Sequence, residues 1–427
     1  MKKEEIAPPS DKTMAIGAAW SMMSFVVLAI TGLLFNILIA RIFGPEAVGI
    51  FNQVYSVYII ISMISTFGIQ LSSLHYVSKN VDDLYTLKQI ITSALLLTAG
   101  ISLIVALISL AGAPLLSWIL SSENVGRAFL WILPGIIFFA MNKVLLNTTN
   151  GLFKIRALNI FQSLRFVLAI LLLGLIICID LPVTATPGCL SGAEFILFLF
   201  LVVFLRKYFG PLNRNQFRHW REKHLRFGVK SVLGGVVSEA NTRVDIFMLG
   251  IFLSDSIVGI YSIAALVIEG IAKFVDFLRF PINPYLSYEI AHGRIVKLCQ
   301  LIRRGVKVSY LLVISICIVA LATYHLLPAY IIKNPAFNQS WTPFVILAIG
   351  LMFGGGYRPF KLLLSQAGFP GYQTLLQVLI LSSNIILNFF FIRMFGYNGA
   401  AIATAITFIL YVVYLKILVR LTLKKWI

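Results

Sequence analysis

The chain has little charge. Of its 427 residues only 12% are Asp, Glu, Lys or Arg, whereas an ordinary globular domain carries about 25%. A soluble catalytic domain, a nucleic-acid-binding module and an extracellular receptor module are disfavoured on that count. Acids are scarcer than bases, 16 against 35. Cysteine is scarce too: Cys178, Cys189, Cys299 and Cys317 form no CxxC pair and do not cluster with the five histidines, so neither a zinc motif nor a redox motif is present. Cys178 and Cys189 flank one short loop, and two unpaired membrane cysteines are favoured there over a disulfide. There is no P-loop, metal motif or nucleophile constellation. The expectation is a protein that is not an enzyme and that uses no cofactor and no metal.

Long apolar runs are plentiful, with 59% of residues hydrophobic. A bilayer core needs about 20 apolar residues per helical crossing. Runs near 14–40, 48–74, 89–112, 127–148, 158–180, 188–205, 228–253, 256–280, 308–332, 341–365, 372–394 and 398–419 predict an all-α polytopic membrane protein of about twelve transmembrane helices. The first run is longer than the 7–15 residue core of a secretory signal and lacks a cleavage pattern after it. It reads as a retained first helix.

The net charge of +19 has a topological explanation. With the N-terminus cytoplasmic, 26 of the 35 basic residues fall on the inner side, and Arg41, Arg127, Lys333 and Arg393 on the outer. That asymmetry predicts a cell (cytoplasmic) membrane protein with both termini cytoplasmic. No nucleic acid is needed as a partner. Between the sixth and seventh runs, Phe217, Trp220, His224 and Phe227 recur at helical spacing among Arg214, Arg218, Arg221 and Lys223. Such a basic amphipathic stretch suits either the anionic inner leaflet or a plain linker obeying the positive-inside rule.

The chain repeats itself at half length. Val48-Gly49-Ile50-Phe51 matches Val258-Gly259-Ile260-Tyr261 at an offset of 210, and Phe195-Ile196-Leu197 matches Phe408-Ile409-Leu410 at 213. The equivalent first and seventh helices both enter from the cytoplasm. The expected division is a six-helix lobe over 1–213, an amphipathic linker over 214–227 and a second six-helix lobe over 228–427. Such lobes, related by a parallel repeat around a central cavity, suit alternating access.

The segment ILIARIFGPEAVGIFNQVYSVYIIISMISTFGIQLSSLHYVSK, Ile37 to Lys79, carries a family resemblance through Ala40-Arg41, Gly44-Pro45-Glu46, Gly49 with Phe51, Gly68 and Lys79. FGYNGAAIATAIT, from Phe395, and VGIYSIAALV, from Val258, add to it. The chain resembles the polysaccharide and oligosaccharide-lipid flippases of the multidrug/oligosaccharidyl-lipid/polysaccharide exporter superfamily. The resemblance implies two six-helix lobes around a cavity, and transfer of an undecaprenyl-diphosphate-linked saccharide to the outer leaflet. Surface polysaccharide such as the O-antigen of lipopolysaccharide would be the product line, with a polysaccharide polymerase and other assembly proteins as partners.

An ionised residue at mid-membrane costs about 2.5–3.5 kcal/mol on insertion scales and tends to face a cavity or a partner. Lys143, Arg165, Glu194, Glu239, Arg243, Asp245, Glu269, Lys273, Asp276 and Arg279 all fall within the runs. One reading makes Lys143, Arg165, Arg243, Lys273 and Arg279 contacts for a diphosphate, with Arg41 added or serving only as a helix cap. The other reading is self-neutralisation through Glu239 with Arg243, Glu269 with Lys273 and Asp276 with Arg279, at helical pairing distances. Gly354, Gly355 and Gly356 before Pro359 suit a hinge, or close helix packing.

The leading function is therefore a lipid-linked oligosaccharide flippase. Its rivals are a flippase for the lipid-linked peptidoglycan precursor and a cation-coupled drug exporter of the same fold. A membrane polymerase or ligase is a distant fourth, since the stretch near Ala111 to Gly126 is too short and apolar for an outer catalytic loop.

Overall fold

The computed structural model describes residues 11–422, and among these the regular structure is helical throughout, with no strand. In chain order the α-helices are α1 (Asp11–Thr66), α2 (Ile69–Lys79), α3 (Leu84–Ala111), α4 (Ala113–Ile119), α5 (Glu123–Gly151), α6 (Ile155–Cys178), α7 (Gly188–Leu205) and α8 (Arg214–Ala240). They continue as α9 (Val244–Phe252), α10 (Asp255–Asp276), α11 (Arg279–Ala291), α12 (Ile295–Thr323), α13 (Trp341–Gly354), α14 (Leu363–Gln366), α15 (Pro370–Phe395) and α16 (Tyr397–Thr422).

Among the described residues, ten stretches are long and apolar enough to cross a membrane, against twelve read from the sequence. The difference lies in two places. The first two runs are two helices that meet directly at Gly44, whose backbone is non-helical at φ 83° and ψ −172°, and they count together as α1; that positive φ needs glycine, and Pro45 then starts the second helix. The seventh run is divided between the more polar α8 and the nine-residue α9, so neither half qualifies alone. Helices begin where the chain supplies caps: Asp83 accepts from the Tyr85 and Thr86 amides at α3, and Ser122 from Val125 at α5.

The helices gather into two compact units. One combines described residues up to Phe35 with Val54–Glu239; the other combines Asn36–Gln53 with the chain from Ala240 onward. In the first unit α5 is central, packed against α2, α3 and α7, with Val125, Ile132, Ile136, Val144 and Leu145 wholly buried. The apolar side of the 214–227 stretch docks here, as the first turns of a helix that runs unbroken through residue 228 to Ala240. Trp220 donates through Nε1 to Gln89 Oε1 at 3.3 Å. His224, fully buried, bonds through Nδ1 to the Ser72 hydroxyl and reaches the Ile90 carbonyl through Nε2 at 3.3 Å. Tyr76 packs edge-on to Trp220 and Phe227. Protein, not lipid, covers that face of the helix.

In the second unit α13 and α15 flank α16, and α10 lies on α13. Small residues set the closest approaches. A Cβ on Gly350 would stand 3.1 Å from the Ala405 carbonyl carbon, and one on Gly354 would stand 2.6 Å from the Phe408 Cβ. The tightest crossing joins the two copies of the repeat. A Cβ on Gly49 would lie 2.7 Å from the Asp255 carbonyl carbon and 3.0 Å from the Gly259 nitrogen; one on Gly259 would lie 2.8 Å from the Pro45 carbonyl carbon and 2.9 Å from the Gly49 nitrogen. Offset 210 maps Gly49 onto Gly259 and Pro45 onto Asp255. The contact is therefore self-complementary, like an interface across a two-fold axis. Gln53 Nε2 fastens it by donating to Asp255 Oδ1 at 2.7 Å.

Candidate functional site

Each unit holds charged side chains inside its apolar helices. In the first unit, Arg165 on α6 places Nε 2.8 Å from Glu194 Oε1 on α7. Asn142 on α5 donates to Glu194 Oε2 at 2.7 Å and to the Glu194 carbonyl at 2.8 Å. Glu194 is buried, and these partners meet the requirement that a buried carboxylate be both paired and hydrogen-bonded. Both cations lean on one ring: Lys143 Nζ is 5.3 Å and the Arg165 guanidinium 5.1 Å from the Phe139 centroid, a cation–π distance. Tyr58 packs edge-on to Phe139 and donates to the Gly135 carbonyl at 3.3 Å. Lys143 has no carboxylate within ion-pair reach among the described residues, although Glu239 and Glu194 lie within electrostatic range.

In the second unit the charges gather along α10. Glu269 Oε1 meets Lys273 Nζ at 2.6 Å, the i,i+4 pair expected from spacing. Arg243, at the start of α9, approaches the same oxygen at 3.6 Å. Asp276 is engaged by partners that helical spacing does not reveal. Arg358 forks onto it, Nε to Oδ1 at 3.0 Å and Nη2 to Oδ2 at 3.1 Å, and Lys361 Nζ reaches Oδ2 at 2.7 Å. Such a bidentate fork is the strong form of a guanidinium–carboxylate pair. Asp245 lies within electrostatic range of Arg243 and Glu269 but bonds elsewhere, accepting from the Tyr261 hydroxyl at 2.6 Å and the Ile246 amide at 2.8 Å. Around Glu269 and Asp276 four cations, Arg243, Lys273, Arg358 and Lys361, surround two carboxylates.

Of the remaining candidates, Arg279 lies within electrostatic range of Lys361. Arg279 opens α11 beyond the end of α10 at Asp276, so the four charged residues of the 256–280 run do not share one continuous helix. Arg41 is exposed, one turn before the Gly44 kink. The Gly354–Gly356 run is where α13 ends and a 3-10 turn, Gly355–Phe360, takes over. A Cβ on Gly356 would stand 2.6 Å from the Tyr310 Cζ, so the run combines a helix break with close packing. The sequence reading missed Asn142, Tyr58, Arg358 and Lys361. The basic-residue count puts Arg358 and Lys361 among the 26 on the cytoplasmic side, and only the glycine-rich break that turns them back toward α10 signals otherwise.

Comparison with known proteins decides the family. The family described as polysaccharide biosynthesis protein matches residues 15–277, more than half of the chain. The chain belongs to that family. No curated protein matches it. Three solved structures that share its fold are distant in sequence. One is the inward-facing conformation of a multidrug resistance MATE family transporter of the MOP superfamily, with TM-score 0.74 and 14% identity over 93% of this chain and 94% of that one. Another is the lipid II flippase MurJ in an inward closed conformation, with TM-score 0.74 and 18% identity over 94% and 87%. A MOP superfamily transporter from Pyrococcus furiosus gives 0.62 and 15% over 95% of each chain. The family member described here is thus a multi-pass membrane protein with the fold of MOP-superfamily transporters and flippases.

Proposed function

We propose that the protein is a flippase that carries an undecaprenyl-diphosphate-linked oligosaccharide from the cytoplasmic to the outer leaflet by alternating access. The observation that carries this reading is the surplus of cations around Glu269 and Asp276, in a chain of the polysaccharide biosynthesis family. Four bases against two carboxylates leave net positive charge beside α10. Such a surplus is costly unless an anion compensates it, and a diphosphate is the anion that such a carrier lipid would bring. Lys143, which lacks an ion-pair partner among the described residues, adds a second cationic contact. Arg165 and Arg279 complete the proposed set, with Arg41 near the outer end of the first crossing. Glu239, Glu269 and Asp276 would hold these bases in place between substrates.

In this reading the repeat-related halves, 1–213 and 228–427, act as two lobes with both termini cytoplasmic. The membrane potential would assist export. Two negative head-group charges moving outward across an inside-negative membrane gain about 4.6 kcal/mol per 100 mV. A drug exporter for organic cations is disfavoured, because the surplus on α10 has the wrong sign for such cargo. The decisive experiment is gene deletion with the lipid-linked pool followed by leaflet. Repeat units trapped on the cytoplasmic leaflet, with surface polysaccharide lost, are expected. Accumulation of full-length polymer inside the cell would refute the proposal. Loss of lipid II transfer instead would move the substrate to the peptidoglycan precursor, the cargo named for MurJ.

A further inference from the structure

The outer face of α8 has no part in the mechanism above, yet its residues are ordered in a telling way. Because Trp220 and His224 anchor the opposite side of the helix to α2 and α3, the orientation of this face is fixed. Two adjacent i,i+4 ridges run along it. One reads Arg218, Glu222, Arg226, Lys230; the other reads Arg221, Leu225, Val229, Leu233. Between them lies an open depression of about 460 Å³ lined by Arg218, Arg221, Glu222, Leu225, Arg226 and Val229. Among the described residues none of the three arginines has a carboxylate within ion-pair distance, and the lining carries a net charge of +2. Toward the C-terminal end the second ridge turns apolar, and Val229 and Leu233 are 57% and 68% exposed. From Arg221 to Leu233 the helix rises about 18 Å.

We infer that this depression is a binding site for an anionic phospholipid of the inner leaflet, its phosphodiester held by Arg218, Arg221 and Arg226 and an acyl chain lying along Leu225, Val229 and Leu233. Three features favour that occupant. Guanidinium forks match phosphate oxygens better than ammonium groups do, and the lining bases are all arginine. The change from basic to apolar along one ridge matches the passage from headgroup to hydrocarbon, which a soluble phosphate or a nucleic acid would not use. The positive-inside count places this end of α8 on the cytoplasmic side, where anionic lipid concentrates basic segments. The site is independent of the flipping reaction, since none of its residues belongs to the charged sets on α5–α7 or α10.

The test uses the full-length protein in neutral detergent, with its thermal midpoint followed as phosphatidylglycerol, phosphatidylcholine or undecaprenyl phosphate is added. Phosphatidylglycerol is expected to raise the midpoint and phosphatidylcholine to leave it unchanged. The triple variant Arg218→Gln, Arg221→Gln, Arg226→Gln should keep the lipid-free midpoint but need at least about tenfold more phosphatidylglycerol for the same rise. If the triple variant does not accumulate, the three single variants carry the test, each expected to weaken the response severalfold. A control that removes equal charge elsewhere, Lys297→Gln, Arg303→Gln, Arg304→Gln on α12, should respond like the wild type. An unchanged response in the arginine variants, or an equal loss in the control, would overturn the site. A response to undecaprenyl phosphate at lower concentration than to phosphatidylglycerol, abolished by the same variants, would overturn the phospholipid assignment and make this a carrier-lipid site.

Discussion

Replacing Gly49 by alanine adds one methyl group at the point where the two copies of the repeat cross. In an open part of a helix that change is favourable by about 0.5–1 kcal/mol, because alanine loses less backbone entropy. At Gly49 the new Cβ would stand 2.7 Å from the Asp255 carbonyl carbon, roughly 1 Å inside the usual carbon–carbon contact. The atoms in the way are backbone, so no side chain can swing aside and the helices must separate. Overpacking of this kind costs about 1–3 kcal/mol, and the rigidity of the obstacle places it toward the upper end. The net expectation is a loss of about 2 kcal/mol. Gly259→Ala should behave alike, since its Cβ would stand 2.8 Å from the Pro45 carbonyl carbon.

The double variant supplies the sharper test. Once one methyl has pushed the helices apart, the second finds space already opened, so the two losses should sum to more than the double variant shows. Gly32→Ala and Gly100→Ala are the controls, because a Cβ there meets nothing within 4 Å. A thiol-reactive fluorogenic dye reads unfolding through the buried Cys189 and Cys317 in a Cys178→Ser background, which removes the exposed thiol. The expected order is controls at or above the wild-type midpoint, both single variants below it, and the double variant little lower than either. Gly49→Ala at the wild-type midpoint would refute the reasoning.

Lys273→Ala should fold with a loss of only about 1 kcal/mol, because Arg243 still neutralises Glu269; export measured in that well-folded variant then reports on substrate contact, and normal export removes Lys273 from the site. Asp276→Asn leaves Arg358 and Lys361 without their shared carboxylate and should cost about 3 kcal/mol, with Lys361→Gln recovering part of the loss; a protein level equal to wild type contradicts the pairing. Burial pushes the His224 imidazole down to about 4, below its ordinary value of about 6.5. The unfolded chain therefore binds a proton that the folded chain refuses between those values, and stability should fall by about 3 kcal/mol as pH drops from 6.5 to 4. His224→Gln should flatten the midpoint over that window, and an unchanged slope counts against the buried neutral ring. Cysteines placed at Ser121 and Ser254 should react with an impermeant label from outside intact cells while one at Asn215 does not; outside labelling at Asn215 inverts the topology.

The helical class and the membrane crossings were legible because hydrophobic length is read directly along the chain, and the family resemblance because Gly44-Pro45-Glu46 and Gly49 sit together in sequence. The ends of individual helices were less legible. The two helices expected on either side of Gly44-Pro45-Glu46 are there, but they meet at Gly44 with no loop between them, because a single glycine and proline can redirect the chain without a polar break. The polar stretch after Arg214 looked like a separate linker, whereas Trp220 and His224 anchor it as the first turns of a helix that continues to Ala240. Charge pairs split the same way. Glu269 with Lys273 follows from i,i+4 spacing, but Arg165 with Glu194 and Asp276 with Arg358 join helices far apart in sequence, and periodicity holds no information on which faces meet.

That distinction bears on how the repeat should be understood. A parallel duplication predicts similar halves, yet the two charged clusters differ in kind. One is built on Glu194, held by an arginine and an asparagine from two other helices; the other is strung along α10 with four bases. What the halves share is the glycine crossing, where Gly49 meets the Asp255 end of α10 and Gly259 meets the Pro45 turn. Backbone approach tolerates no side chain, so both copies must keep glycine there for the crossing to survive. Charged positions carry no such constraint, since a carboxylate can be neutralised from any neighbouring helix. The duplicated element is therefore the place where helices touch, while the charge was free to concentrate in one half.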